Sequence, residues 1–155
     1  MKTNNRKILY ALFLSGSCLS GYLLWFLLRP VDIIAVHHSE NSFTSVLIRH
    51  YPFTDKGKIQ WWLENQGRLK EKYGIPKTDN DGFFEVIFWD FGEGYKETDG
   101  YDRLCFTDMR PSLNCIEKNK VFAVWNNKNK DIFLGVDDGF YRIDENGKMV
   151  KTKYK

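Results

Sequence analysis

Acidic side chains are missing from the first 30 residues, where Lys2, Arg6, Lys7 and Arg29 stand alone. Residues 31–155 then hold 19 basic and 20 acidic side chains, so the +3 of the chain belongs to its N-terminus. A domain with no basic excess is a poor match to the phosphate backbone, and a nucleic-acid partner is not expected. Proline is scarce, four among 155 residues beside 12 Gly, which excludes collagen-like and Pro-rich low-complexity chains. Cysteine occurs three times, with no Cys-x-x-Cys pair of the redox-catalyst type. Gly-x-Ser-x-Gly, the phosphate loop, His-Glu-x-x-His and the dinucleotide fingerprint are all absent. Neither catalysis nor a cofactor is expected. Aromatics are plentiful, with 12 Phe, 8 Tyr and 5 Trp, which excludes a disordered chain.

One uncharged stretch covers residues 8–28 and includes Leu9, Leu12, Phe13, Leu14, Leu23, Leu24 and Phe26. As a helix it is roughly 32 Å long, enough to cross a hydrocarbon core of about 30 Å. Tyr10 at one end, and Tyr22 and Trp25 at the other, suit the interfaces. Arg29 and Pro30 end the helix. Three basic residues precede the span and one follows, which predicts a cytoplasmic N-terminus (residues 1–7), an anchor (8–28) and an extracytoplasmic domain (31–155). The expected address is a bacterial inner membrane, with the domain in the periplasm. A cleaved signal peptide would have a shorter apolar run and a small-residue site after it. A lipid anchor at Cys18 is the other alternative: Ser15-Gly16-Ser17-Cys18 resembles a lipidation box, but Ser15 stands where Leu is usual. Gly16 and Ser20, and Ser17 and Gly21, are small residues four apart, a spacing that lets helices approach and self-associate.

The remainder reads as α+β, a small, mostly antiparallel sheet with one amphipathic helix. Residues 32–37 form a first strand; residues 42–51 form a second strand or a short helix. Thr54 or Asp55 caps a helix running to Tyr73, with Ile59, Trp62, Leu63, Leu69 and Tyr73 on its apolar stripe. Glu64 and Arg68 are four apart in the favourable order, Gly74 is the stop and Pro76 bars continuation. Residues 83–91 form a strand rich in aromatic and β-branched side chains. Further strands are predicted at 102–107, 114–117, 120–125, 131–136, 140–143 and 148–152. Turns at Met109-Arg110-Pro111-Ser112, Asn126–Asn129, Asp138-Gly139 and Asn146-Gly147 separate them.

Cys105 and Cys115 fall on adjacent predicted strands and are expected to form a structural disulfide. His37 and His38 point to opposite faces of a strand and do not make a chelate by themselves, so no metal site is expected. Asp137-Asp138-Gly139 and Asp144-Glu145-Asn146-Gly147 lack the ligand spacing of a calcium loop and read as hairpin turns. Asp90, Glu93, Glu97 and Asp99 lie in a turn-rich stretch where solvated carboxylates are usual. The aromatic surplus points to protein binding, since Trp and Tyr are enriched at interface hot spots. The candidates are Trp61, Trp89, Tyr95 and Tyr101; the alternative for them is core and cross-strand packing.

Several runs together carry a resemblance. They are Leu28-Arg29-Pro30-Val31-Asp32-Ile33, Ala35-Val36-His37-His38, Tyr51-Pro52-Phe53-Thr54-Asp55 through Trp62, Phe88-Trp89-Asp90-Phe91-Gly92 with Gly94-Tyr95, Tyr101 to Phe106, and Asn114-Cys115-Ile116-Glu117-Lys118. The chain resembles, over nearly its whole length, the enterobacterial membrane proteins grouped as domain of unknown function 943. The resemblance implies an enterobacterial membrane protein and assigns no catalytic residue. The expected role is a tethered binding module, immunity-like, that neutralises an antibacterial toxin. The alternative is a structural subunit of an envelope complex. The partners expected are the lipid bilayer and one unidentified protein.

Overall fold

The computed structural model describes residues 2–39, 42–110, 112–144 and 146–153, with the side chains of residues 2–4 and 27 excepted. Pro111 and Glu145, both assigned to turns from the sequence, lie outside the described residues. The chain divides into two compact units, Met1–Pro30 and Val31–Lys155.

The first unit is helix α1 (Lys2–Leu27). It starts before the uncharged stretch, because Lys2 to Lys7 contain nothing that breaks a helix. Its segment Asn5–Phe26 is long and apolar enough to cross a membrane. The Arg29 guanidinium lies 3.7 Å over the Trp25 ring, a cation–π contact just beyond the helix end.

The second unit is built on strands β1 (Asp32–His38), β2 (Phe43–Arg49), β3 (Glu85–Asp90), β7 (Lys120–Asn126), β8 (Ile132–Val136), β9 (Gly139–Ile143) and β10 (Met149–Thr152). They form one sheet in the order β1-β2-β3-β7-β8-β9-β10. A smaller sheet, in the order β4-β6-β5, joins β4 (Lys96–Glu97), β5 (Arg103–Cys105) and β6 (Leu113–Glu117). Of the stretch 42–51, Phe43–Arg49 is thus a strand and no α-helix forms there. The short β4 is too brief for any alternation to mark it in the sequence.

Helix α2 (Asp55–Tyr73) connects β2 to β3, and those two strands are parallel. A parallel neighbour needs a long crossover, which a helix supplies. Thr54 caps the helix by accepting from the Gly57 N–H at 3.1 Å. Gly74 closes it in the left-handed region at φ 67°, with its N–H on the Leu69 and Lys70 carbonyls. Glu64 accepts from Gln60, one turn before it, at 2.8 Å, whereas the spacing points to Arg68, one turn after it. Ile59, Trp62 and Leu69 are buried against Val46, Ile48, Val86, Phe88, Phe122, Val124 and Leu134. That apolar layer between α2 and the sheet is the main core.

Candidate binding groove

Cross-strand partners in register share a face, so the face away from α2 can be read row by row. One row runs Phe43, Glu85, Trp125, Phe133, Arg142, Val150 from β2 to β10. The next runs Ser45, Ile87, Ala123, Gly135, Phe140, Thr152. At the β1–β3 end a second core covers this face, with Leu47, Phe106 and Ile116 packed against Ala35, Trp89, Phe91, Tyr95 and Leu104. The smaller sheet supplies part of it. Over β3 to β10 the face instead forms a groove of about 930 Å³, with Phe83 at one end and Thr152 and Lys153 at the other.

Its floor is aromatic. Trp125 stacks on Phe133 with centroids 5.9 Å apart and ring planes 14° apart, and Phe140 meets Trp125 edge-on at 5.8 Å. Gly135 makes this possible. A Cβ there would lie 3.1 Å from Trp125 Cζ3 and 3.3 Å from Phe140 Cε1. Glycine inside a strand marks close approach, and here the approach is that of two rings lying across the backbone.

Six charged side chains line the groove: Lys120, Lys128, Arg142 and Lys153 against Glu85 and Asp131. Burial pushes the Glu85 carboxyl above its usual value, and the Lys120 charge opposes that shift. Arg142 stands 3.6 Å from Asp131. The Asp131 carboxylate also accepts from Asn127 Nδ2 at 3.0 Å, while Asn127 Oδ1 takes the Asn129 and Asp131 N–H groups. Buried Asn126 pins the wall next to Phe83. Its amide donates to the Gly82 carbonyl at 2.7 Å and accepts from the Phe84 N–H at 2.9 Å.

The residues singled out from the sequence lie elsewhere. Trp61 packs on the main core, edge-on to Phe88 at 5.6 Å and Phe122 at 6.1 Å. Trp89 belongs to the second core and its Nε1 donates to Ser45 Oγ at 3.3 Å. Tyr95 lies in that core too, edge-on to Phe91 at 5.0 Å. Tyr101 is 76% exposed, with the Arg103 guanidinium 5.4 Å over its ring. The groove aromatics Trp125, Phe133 and Phe140 are not among those residues, because they lie on three separate strands and no local pattern in the sequence brings them together. Gly135 inside an otherwise apolar strand was the signal available.

Cys105 and Cys115 form a disulfide and are direct partners on β5 and β6. Cys18 is a free, exposed thiol on α1. On the same helix Ser20 turns its hydroxyl back to the Gly16 carbonyl at 2.8 Å. An added Cβ at Gly16 or Gly21 would meet nothing within 4 Å. Asp90 accepts from the Gly92 N–H, Glu93 pairs with Lys96 at 3.0 Å and Asp99 with Arg103 at 2.6 Å, so these acids act as turn and ion-pair partners. Among the described residues, no group of three or more His, Cys, Asp or Glu side chains is arranged to hold a metal.

One polar constellation escaped the sequence reading. His37, buried between the two sheets, stacks on Phe106 at 3.8 Å. Its Nδ1 lies 2.9 Å from the Asp108 carboxylate and its Nε2 2.9 Å from Tyr95 Oη. The order carboxylate–imidazole–hydroxyl has the outline of a nucleophile relay. Burial and the Asp108 charge, however, push the Tyr95 hydroxyl above its usual value. A relay nucleophile needs the opposite shift. The chemistry suits a clasp that satisfies buried polar groups and ties β1 to the loop after β5.

No curated protein and no solved structure matches the chain. Over residues 2–153 the sequence matches the family described as "Enterobacterial putative membrane protein (DUF943)", and the chain belongs to that family.

Proposed function

We propose that this is a single-pass inner-membrane protein, N-terminus cytoplasmic, that presents residues 31–155 to the periplasm as a protein-binding module. The finer form of the reading is an immunity-like protein that neutralises an incoming antibacterial toxin. The observation that carries it is the groove. A sheet whose one face is filled by α2 and whose other face is half covered leaves an aromatic floor rimmed by charge. That composition matches the anchors and rim of a protein interface. The orientation is supported by three basic residues before the apolar stretch and one after it. The test is survival of a gene deletion beside neighbours that carry the cognate toxin. Sensitivity rescued by the intact chain, and not by a Trp125→Ala/Phe133→Ala variant of equal abundance, is expected. Unchanged survival overturns the immunity form.

A second reading, a structural subunit of an envelope complex, is favoured by one feature of α1. Ser20 satisfies its hydroxyl on its own helix, which leaves Gly16, Ser17, Ser20 and Gly21 as a small surface suited to close helix contact. Leucine at all four positions is then expected to release the chain from its complex. Release only by changes within residues 31–155 would exclude this reading.

A further inference from the structure

We propose that the groove binds an extended, acidic polypeptide segment of the partner, with apolar side chains seated on the Trp125–Phe133–Phe140 floor. The inference rests on the protein-binding reading and adds the chemistry of what is bound. Charge complementarity carries it. The groove concentrates four cationic side chains against two carboxylates, whereas residues 31–155 as a whole carry one more acid than base. Within the groove the charges are unequally spent. Arg142 stands 3.6 Å from Asp131, whereas Lys120, which pairs with Trp89 at the other end of β3, acts on the Glu85 carboxyl only through its charge at a distance. Lys128 and Lys153 form no ion pair with an acid among the described residues. The excess is therefore a pair of cations, Lys128 in the β7–β8 turn and Lys153 just past β10, available to ligand carboxylates.

The floor sets the rest of the ligand. Stacked rings accept apolar or aromatic side chains, and their flat faces exclude water from the contact. From β3 to β10 there are four strand spacings, about 19 Å at ~4.8 Å each. An extended chain crosses that distance with about six residues at ~3.3 Å each. A short acidic stretch bracketing one or two apolar residues thus meets cations and rings together. A folded convex surface would meet the rim first.

The test uses the full chain in nanodiscs of zwitterionic lipid and a fluorescein-labelled ten-residue peptide with two central leucines flanked by aspartates. Its counterpart replaces every aspartate by lysine. Fluorescence anisotropy is expected to show saturable binding of the acidic peptide, weakened by raising salt from low to half-molar, as screened charge pairs require. Lys128→Glu with Lys153→Glu is expected to weaken it about tenfold. Lys56→Glu with Lys70→Glu, an equal charge change on α2, is expected to leave it unchanged. Failure of the acidic peptide to bind, equal binding of the lysine peptide, or equal loss in the α2 variant overturns the inference. The protein-binding reading is judged separately. A partner crosslinked in cells and lost on Trp125→Ala, with no acidic peptide bound, keeps that reading and overturns this one. Peptide binding with no partner captured in cells keeps the acidic-peptide chemistry of the groove and overturns its assignment to a protein partner.

Discussion

Removing the Cys105–Cys115 bond is expected to loosen the cover of the second core while leaving the main core in place. The smaller sheet has strands of two, three and five residues, too short to hold together by ladder bonds alone. The bond closes a loop with a sequence separation of 10. Chain-entropy arithmetic for such a loop gives about 2.7 kcal/mol at 25 °C. For a domain of this size a urea slope of about 2 kcal/mol/M converts that into a midpoint lowered by roughly 1.4 M. The comparison is oxidised protein, the same protein reduced, and the Cys105→Ala/Cys115→Ala variant. Hydrogen exchange should locate the change: amides of β5, β6 and the His37–Asp108 clasp gain an additional local opening and accelerate most, while α2 amides accelerate only as far as the global transition is weakened. Equal urea midpoints with and without the bond would refute the reasoning. So would exchange that accelerates in α2 as much as in β6, because the two cores would then be one cooperative unit.

Three further perturbations probe other parts of the account. Gly135→Val places a branched side chain where Trp125 and Phe140 already lie, and should cost about 1–3 kcal/mol with a changed near-ultraviolet dichroism; an unaltered spectrum and melting temperature would count against the close approach. Glu85 holds its proton to higher pH when folded, so its contribution to stability is present below the unfolded value of 4.5 and lost as pH rises through the folded one. Glu85→Gln should therefore raise the melting temperature at neutral pH and lose that advantage in acid, and a gain that is independent of pH would contradict the burial argument. Thr54→Ala removes the acceptor for the Gly57 N–H and should destabilise by about 1 kcal/mol in a thermal melt, with Thr54→Ser close to the parent.

The legible parts of the fold were those with strong local signals. Thr54, the stripe of Ile59, Trp62 and Leu69, and Gly74 marked α2 from cap to stop, because capping and amphipathic spacing are written within a few residues. Asp138-Gly139 and Asn146-Gly147 marked hairpin turns for the same reason. The parallel pairing of β2 with β3 and the separation of β4, β5 and β6 into a second sheet are long-range facts. Alternation in one strand says which residues share a face but not which strand lies beside it. The groove was illegible for that reason. Trp125, Phe133 and Phe140 lie on three strands and become one surface only through register. Trp61 shows the converse. Off the main stripe in the helical pattern, it still reaches Phe88 and Phe122, because a large ring at the flank of α2 can lean over the sheet. His37 reaches Asp108 across 71 residues and Tyr95 across 58, distances that sequence spacing does not encode.

The most direct test of the central claim, that the half-covered sheet face is the binding surface, is site-specific photocrosslinking in intact cells. A photoreactive side chain is placed in turn at Phe133, on the groove floor, and at Lys56, on the exposed side of α2. The account predicts one discrete protein adduct from position 133 and none from position 56. Adducts of equal yield from both positions, or an adduct from position 56 alone, would contradict it.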